Sequence, residues 1–261
     1  VETIRCFVKV GSLDATILEP LAAVVDPAGT LLVLPGWRQS GYDQNYPDYT
    51  PRQECAPFIA AAHRLGFRVM VHFSTFGWSP GRADFAAVAP YGICGRDGAV
   101  SGWMLADPTH PMVHLNINPA CSVYRETVVG AARDAVQSLG IDALHLDVSF
   151  LLENVPEGEV EGMTMGEGKQ AFFRDLAQAL PGVAFGGEEL NESCMGILSF
   201  AQRTPHHDEN LLPHPLDLAL FGPSFRAYSH YSRTLSPAAS NTVIADHVRA
   251  EERSGIYPTV A

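Results

Sequence analysis

Short apolar runs recur along this chain, each followed by a long polar and aromatic stretch, and several of these lead into an amphipathic helix. Residues 31–34 (LLVL) close in Pro35-Gly36 and read as a buried strand. A loop rich in Trp, Tyr and Asp follows to Thr50, and Pro51 then opens a helix with apolar positions at Ala56, Ile59, Ala60 and His63 and a stop at Gly66. Further strands are expected at 67–73, 113–117, 143–148, 182–187 and 216–221. Further helices are expected from Ser122 to a stop at Gly140, and over 166–180.

Strands alternating with helices imply a parallel sheet with crossover connections. The turns after the helices are short and the loops after the strands are long. In a (β/α)8 barrel those post-strand loops build the active site, and here they hold most of the Trp, His, Asp and Asn. A TIM-type (β/α)8 barrel is therefore the expected architecture. A doubly wound sheet is the alternative, but the first strand ends in PGWRQSG and lacks the GxGxxG phosphate loop of that class. Residues 1–29 are expected to form a short N-terminal β segment, two strands joined at Gly11-Ser12, ahead of a barrel domain over 30–261. Five or six barrel strands are visible rather than eight. Either the opening strands join the barrel, or a further chain segment or subunit completes it. The start at Val1 and the end RSGIYPTVA lead to the expectation of a piece of a longer polypeptide.

Composition narrows the function classes. The 261 residues carry a net charge of −12, which disfavours duplex nucleic acid and anionic membrane surfaces as partners. No apolar run approaches the ~20 residues of a transmembrane helix, and VETIRCFVKV has no signal-peptide core. The five cysteines include no CxxC pair, so neither a disulfide framework nor a zinc knuckle is expected. His206-His207-Asp208-Glu209 lacks HExxH spacing, 162–166 lacks a P-loop lysine, and no GxSxG elbow occurs. No metal and no cofactor is expected.

Two segments carry carboxylates at strand ends. In IDALHLDVSF, His145 and Asp147 alternate with Leu144, Leu146 and Val148, so Asp147 falls at the C-terminal end of its strand. In VAFGGEELNES, a strand runs into two glycines and then Glu188, Glu189, Asn191 and Glu192. Asp147 and Glu188 are 41 residues apart, one βα unit, which puts them on neighbouring strands about 4.8 Å apart. Two such carboxyls can reach the separation of about 5–5.5 Å found in retaining glycosidases.

The segments PGWRQSGYDQNYPDYTP, AAAHRLGFRVMVHFS, HLNINPACSVYRE, ALHLDVSF and GGEELNES together resemble the barrel of retaining α-glycoside hydrolases. The nearest likeness is to endo-α-N-acetylgalactosaminidases, with α-amylase-like barrels as wider kin, over roughly residues 31–192. The resemblance implies a glycosidase acting by double displacement on an α-linked oligosaccharide or glycoconjugate. Asp147 would be the nucleophile and Glu188 the acid/base, with Glu189 as the alternative acid. Relatives follow the glutamate with Gly-Leu-Asn-Glu, and Glu189 here takes the place of that glycine. The resemblance also implies sugar-binding roles for Trp37 and Tyr42 by stacking, and for Asp43, His72, Trp78 and Asn118 around the mouth. His145 would lie deeper in the lumen as an orienting partner. A carbohydrate-binding or catalytically inactive barrel is the alternative.

Overall fold

The computed structural model describes residues 3–95, 97–103, 114–149, 158–188, 192–203, 220–229, 249, 252, 255–257 and 259–260. Its strands are β1 (Cys6–Lys9), β2 (Thr30–Leu34), β3 (Arg68–Ser74), β4 (Gly77–Trp78), β5 (Gly102–Trp103), β6 (His114–Asn116), β7 (Ala143–Asp147), β8 (Ala184–Glu188), β9 (Phe200–Arg203), β10 (Arg226–Ser229) and β11 (Thr259–Val260). Eight of them form one sheet in the order β10-β9-β8-β7-β3-β2-β1-β11, and every pairing in it is parallel. The two ends of this sheet nearly meet. Tyr228 bridges Tyr257 in parallel, Tyr257 N–H donates to Ala227 O at 2.8 Å, and Ser229 N–H donates to Tyr257 O at 3.0 Å. The result is a nearly closed, barrel-like parallel sheet of the α/β class.

Alternation along the strands sorts side chains into two cores. Phe7, Leu31, Val33, Met70, Ala143, Phe200 and Tyr228, one or two from each of β1, β2, β3, β7, β9 and β10, pack together inside the curl. Leu32, Leu34, Val69, Val71, Leu144, Leu146 and Phe185 point the other way and pack with the helices. The helices are α1 (Leu18–Ala22), α2 (Cys55–Leu65), α3 (Ser122–Leu139) and α4 (Met165–Ala179). On α2 the buried residues are Cys55, Phe58, Ile59 and Ala62, the i, i+3, i+4, i+7 stripe of a helix lying on a sheet. That stripe is offset from the expected one, and His63 is half-exposed and ion-paired to Asp142 at 2.7 Å. Gly66 and Gly140 end α2 and α3 at φ 96° and 70°, where a side chain would strain the turn. Thr164 and Glu167 close a capping box at the start of α4. No helix among the described residues is long and apolar enough to cross a membrane.

Three expectations are corrected. The opening hairpin does not form: β1 pairs in parallel with β2 in the main sheet, and residues 15–22 are helical because Asp14 caps them through Thr16 N–H at 2.9 Å. The strand expected at 113–117 does not enter the main sheet. Its described part, β6, pairs antiparallel with β4 and β5 in a small separate sheet. Its neighbours β4 and β5 pair along both of its edges, and His114 and Leu115 are both buried there. The strand expected at 216–221 lies largely outside the described residues, and Leu220-Phe221 are helical.

Candidate active site

The curl of the sheet gathers polar side chains at the C-terminal ends of β3, β7, β8 and β9. His72 lies two residues beyond Met70 on β3, and His145 and Asp147 lie two and four beyond Ala143 on β7. All three share the inner face with those residues. In the register, His72 is opposite His145 and Ser74 opposite Asp147. His72 Nε2 is 3.3 Å from Asp147 Oδ2. The rings of His72 and His145 lie 5.7 Å apart between centroids.

Asp147 is largely but not fully buried, its side chain 15% exposed, and burial alone pushes its carboxyl upward. The His72 imidazole beside it, His145 behind it and a hydrogen bond from the Glu188 side chain outweigh that, holding Asp147 at about 2. Glu188 ends β8, one strand over from Asp147. Its Oε2 accepts from Val148 N–H at 2.9 Å. Ser149 grips its backbone: Ser149 Oγ accepts from Glu188 N–H at 2.7 Å and donates to Glu188 O at 3.1 Å. Val148 is held at φ 60°, a left-handed conformation that is costly for a β-branched residue. The turn after β7 thus carries strain where it aims an amide at Glu188. Gly187 makes this approach possible, since a Cβ there would collide with Ser149 Oγ and the Leu198 side chain.

The loop after β2 folds over His72. Arg38, fully buried, donates to the carbonyls of Gln44, Asp48 and Gly41 at 3.0, 2.8 and 2.7 Å and lies 4.2 Å over the Tyr46 ring. Tyr46 Oη donates to Asp43 Oδ1 at 3.1 Å and lies 3.4 Å from His72 Nδ1. Burial raises the Asp43 pKa, and the Asp147 charge raises it further, against the opposing pull of His72, Tyr46 and Arg38. Asp43, Tyr46, His72 and Asp147 therefore form one continuous polar chain into the lumen.

Not every expected residue joins this cluster. Trp37 is fully buried, with its indole N–H on His72 O at 2.9 Å and its ring against Tyr49 and Phe73, which leaves no face for a sugar. Trp78 is likewise buried, its N–H on Asp84 at 3.1 Å. Asn118 is buried in a local turn, accepting from Ala120 N–H at 2.9 Å. Tyr42 is 42% exposed, with its ring 4.7 Å from that of His72, and it is the loop aromatic placed at the mouth. His145 is buried, with Nδ1 2.8 Å from Tyr228 Oη. Glu189, Asn191 and the 206–209 cluster lie outside the described residues.

Three contributors were not singled out from the sequence. Ser149 follows Asp147 by two residues and gave no signal beyond its proximity. His114 arrives from the small antiparallel sheet, its ring 5.2 Å from that of Tyr46 and hydrogen-bonded to the Asp43 backbone. Burial pushes His114 down to about 4; Arg38 and His72 act with it, against Asp147 and the hydrogen bond. Gln202 sits opposite Glu188 in the β8–β9 register, on the face that Phe200 turns inward. It is fully buried, and neither atom of its amide has a hydrogen-bond partner among the described residues. The run FAQR in ILSFAQRTP could have been read as a strand with Gln202 facing the lumen.

The profile of a family described as a domain of unknown function, DUF6259, matches residues 4–158. No curated protein matches. Solved structures that share the fold include the α-N-acetylgalactosaminidase NagBb from Bifidobacterium bifidum, at 20% identity and a TM-score of 0.57 over 76% of this chain. The α-galactosidase TtGalA from Thermus thermophilus matches at 12% identity and a TM-score of 0.64 over 98% of it. The noncanonic maltogenic α-amylase AmyB from Thermotoga neapolitana matches at 9% and 0.53 over 78%. The chain spans 37%, 57% and 50% of those three proteins respectively. The structural neighbours are thus glycoside hydrolases of α-galactosaminidase, α-galactosidase and α-amylase type.

Proposed function

The chain belongs to the DUF6259 family, and from that footing we propose that it is the catalytic (β/α)8 barrel of a retaining glycosidase acting on an α-linked sugar. The observation that carries this reading is the placement of Asp147 and Glu188 side by side at the C-terminal ends of adjacent parallel strands. A hydrogen bond between two carboxyls needs one proton. Asp147 is held ionised, chiefly by the His72 imidazole beside it, and in this reading Glu188 is the partner that carries the proton. That is the starting state of a double displacement: a bare carboxylate to attack the anomeric carbon and a carboxylic acid to protonate the leaving oxygen. Carboxyls at the ends of neighbouring strands, which lie about 4.8 Å apart, suit the short separation of a retaining enzyme better than the about 6.5–9.5 Å of an inverting one.

The surrounding residues fit the same chemistry. His72 and His145 steady the Asp147 charge while it waits and after the glycosyl ester is hydrolysed. The Val148 amide and Ser149 fix the acid/base on its strand. Asp43 and Gln202 offer hydrogen bonds to sugar hydroxyls, and Tyr42 offers an aromatic face at the mouth. After the first displacement Glu188, now ionised, takes a proton from the water that attacks the ester.

The test is to offer the protein a panel of aryl α- and β-glycosides and to follow the first-formed anomer by NMR. Turnover of an α-glycoside with α-configured initial product is expected. Release of the β-anomer from an α-substrate would contradict retention, and hydrolysis of β-glycosides alone would contradict the substrate class.

A further inference from the structure

We propose that His72, His145 and Asp147 form a binding site for a divalent transition-metal ion of the Zn2+ type, and that an ion held there blocks glycoside hydrolysis. Each of the three offers a ligand atom, and these atoms all lie within 4.8 Å of one another. With metal–ligand distances of about 2.0–2.1 Å, tetrahedral geometry puts ligand atoms about 3.3–3.5 Å apart. His72 Nε2 and Asp147 Oδ2 already stand at 3.3 Å, so closing the site asks only a small movement of the third ligand. Two imidazoles and one carboxylate form a donor set suited to Zn2+. All three come from neighbouring rigid strands, β3 and β7, rather than from loops.

A second observation is independent of the ligand atoms. Each histidine has its Nδ1 next to a tyrosine hydroxyl, His145 to Tyr228 at 2.8 Å and His72 to Tyr46 at 3.4 Å. Partners on the far nitrogen set the ring orientation of metal-binding histidines and turn Nε2 inward. Three protein ligands would leave a fourth position open at the mouth for water or an anion. The blocking half of the proposal rests on the glycosidase reading, because the ion would occupy the oxygen that must attack the sugar. The binding half does not.

The experiment uses tag-free protein stripped with a chelator and then dialysed. Zn2+ binding is measured by calorimetry and by competition with a chromophoric chelator, and Co2+ is added separately to record its visible spectrum. One equivalent of Zn2+ is expected, with an intense four-coordinate Co2+ spectrum. His72→Gln, His145→Gln and Asp147→Asn should each weaken Zn2+ by more than tenfold, and Tyr228→Phe by about tenfold. The Co2+ spectrum of the unmutated protein keeps the test decisive if a variant fails to fold. No binding at millimolar Zn2+, a six-coordinate all-oxygen Co2+ spectrum, or affinity unchanged in all three ligand variants would overturn the site. If the stripped protein hydrolyses a glycoside, Zn2+ should inhibit it and chelator should restore it. Full activity of the Zn2+-loaded protein would overturn the blocking half. Binding that the ligand variants abolish, in a protein that cleaves no glycoside, would uphold the site while the glycosidase reading fell.

Discussion

At the residue scale the account rests on how a carboxylate stays charged inside a barrel. Asp147 is depressed to about 2 in the fold and titrates near 3.9 in an unfolded chain. The unfolded chain therefore takes up this proton first as pH falls. The stabilisation is fully present above about pH 4 and is lost as pH drops toward 2. His114 acts in a higher window. Its folded value is about 4 against an ordinary 6.5, so the unfolded chain again binds the proton first, and stability declines from about pH 6.5 down to 4 by roughly 3 kcal/mol. Urea unfolding across that range should show the slope in the unmutated protein and a flatter line in His114→Gln. An unchanged slope would remove His114 as its source. Tyr46→Phe deletes the hydroxyl that joins Asp43 to His72. A stability loss of about 1–3 kcal/mol is expected, since both partners stay buried, with kcat falling more than KM rises. Asp147 and His145 were legible in the sequence because alternation on a strand assigns faces. Trp37 and Trp78 were misread because an aromatic in a loop after a strand can turn toward the mouth or into the core. Only packing against Tyr49, Phe73 and Tyr124 decides it.

At the element scale the site depends on backbone approaches that tolerate no added carbon. A Cβ at Gly187 would meet Ser149, which grips the Glu188 backbone on both sides. Gly187→Ala is expected to reduce glycosidase activity more than tenfold, with a stability loss of about 1–3 kcal/mol from overpacking. Steady-state kinetics beside thermal unfolding checks it, and unaltered kcat would refute the clamp. Gly168 on α4 is a second such place, where a Cβ would run into the backbone of Ala120. In an open helix Gly→Ala gains up to about 1 kcal/mol. Here the opposing backbone cannot give way, so Gly168→Ala should destabilise by about 2 kcal/mol in urea. The longer helices and β2, β3, β7 and β8 were legible because their periodicity is strong and glycines or prolines punctuate them. The opening hairpin was not: Asp14 caps a helix that short-range alternation disguised as a strand. Strand β6 is apolar enough to suggest the main sheet, but it is captured by β4 and β5.

At the scale of the whole molecule the sheet closes through its least conspicuous segment. β11 pairs with β1, Tyr257 ahead of it bridges Tyr228 of β10, and from β11 itself Thr259 N–H donates to Ser229 Oγ at 2.8 Å and Thr259 Oγ1 donates to Ser229 O at 2.9 Å. These last strands are two to four residues long and carry polar side chains, so no periodic signal marked them. The count of five or six strands fell short for that reason. Deleting residues 255–261 opens the edges of β1 and β10, and aggregation or loss of cooperative unfolding is expected by size-exclusion chromatography and thermal melts. A monomeric, cooperatively folding truncation would show the seam to be dispensable. What closure achieves is to hold the ends of β7 and β8 side by side. The most direct test is the hydrolysis rate of an aryl α-glycoside by the unmutated protein, Asp147→Asn and Glu188→Gln, with activated and poor leaving groups and with added azide. The account predicts that Asp147→Asn loses at least about 10³-fold for every leaving group. Glu188→Gln should lose most with poor leaving groups and regain turnover with azide. Either variant hydrolysing a poor-leaving-group substrate at the unmutated rate would contradict it.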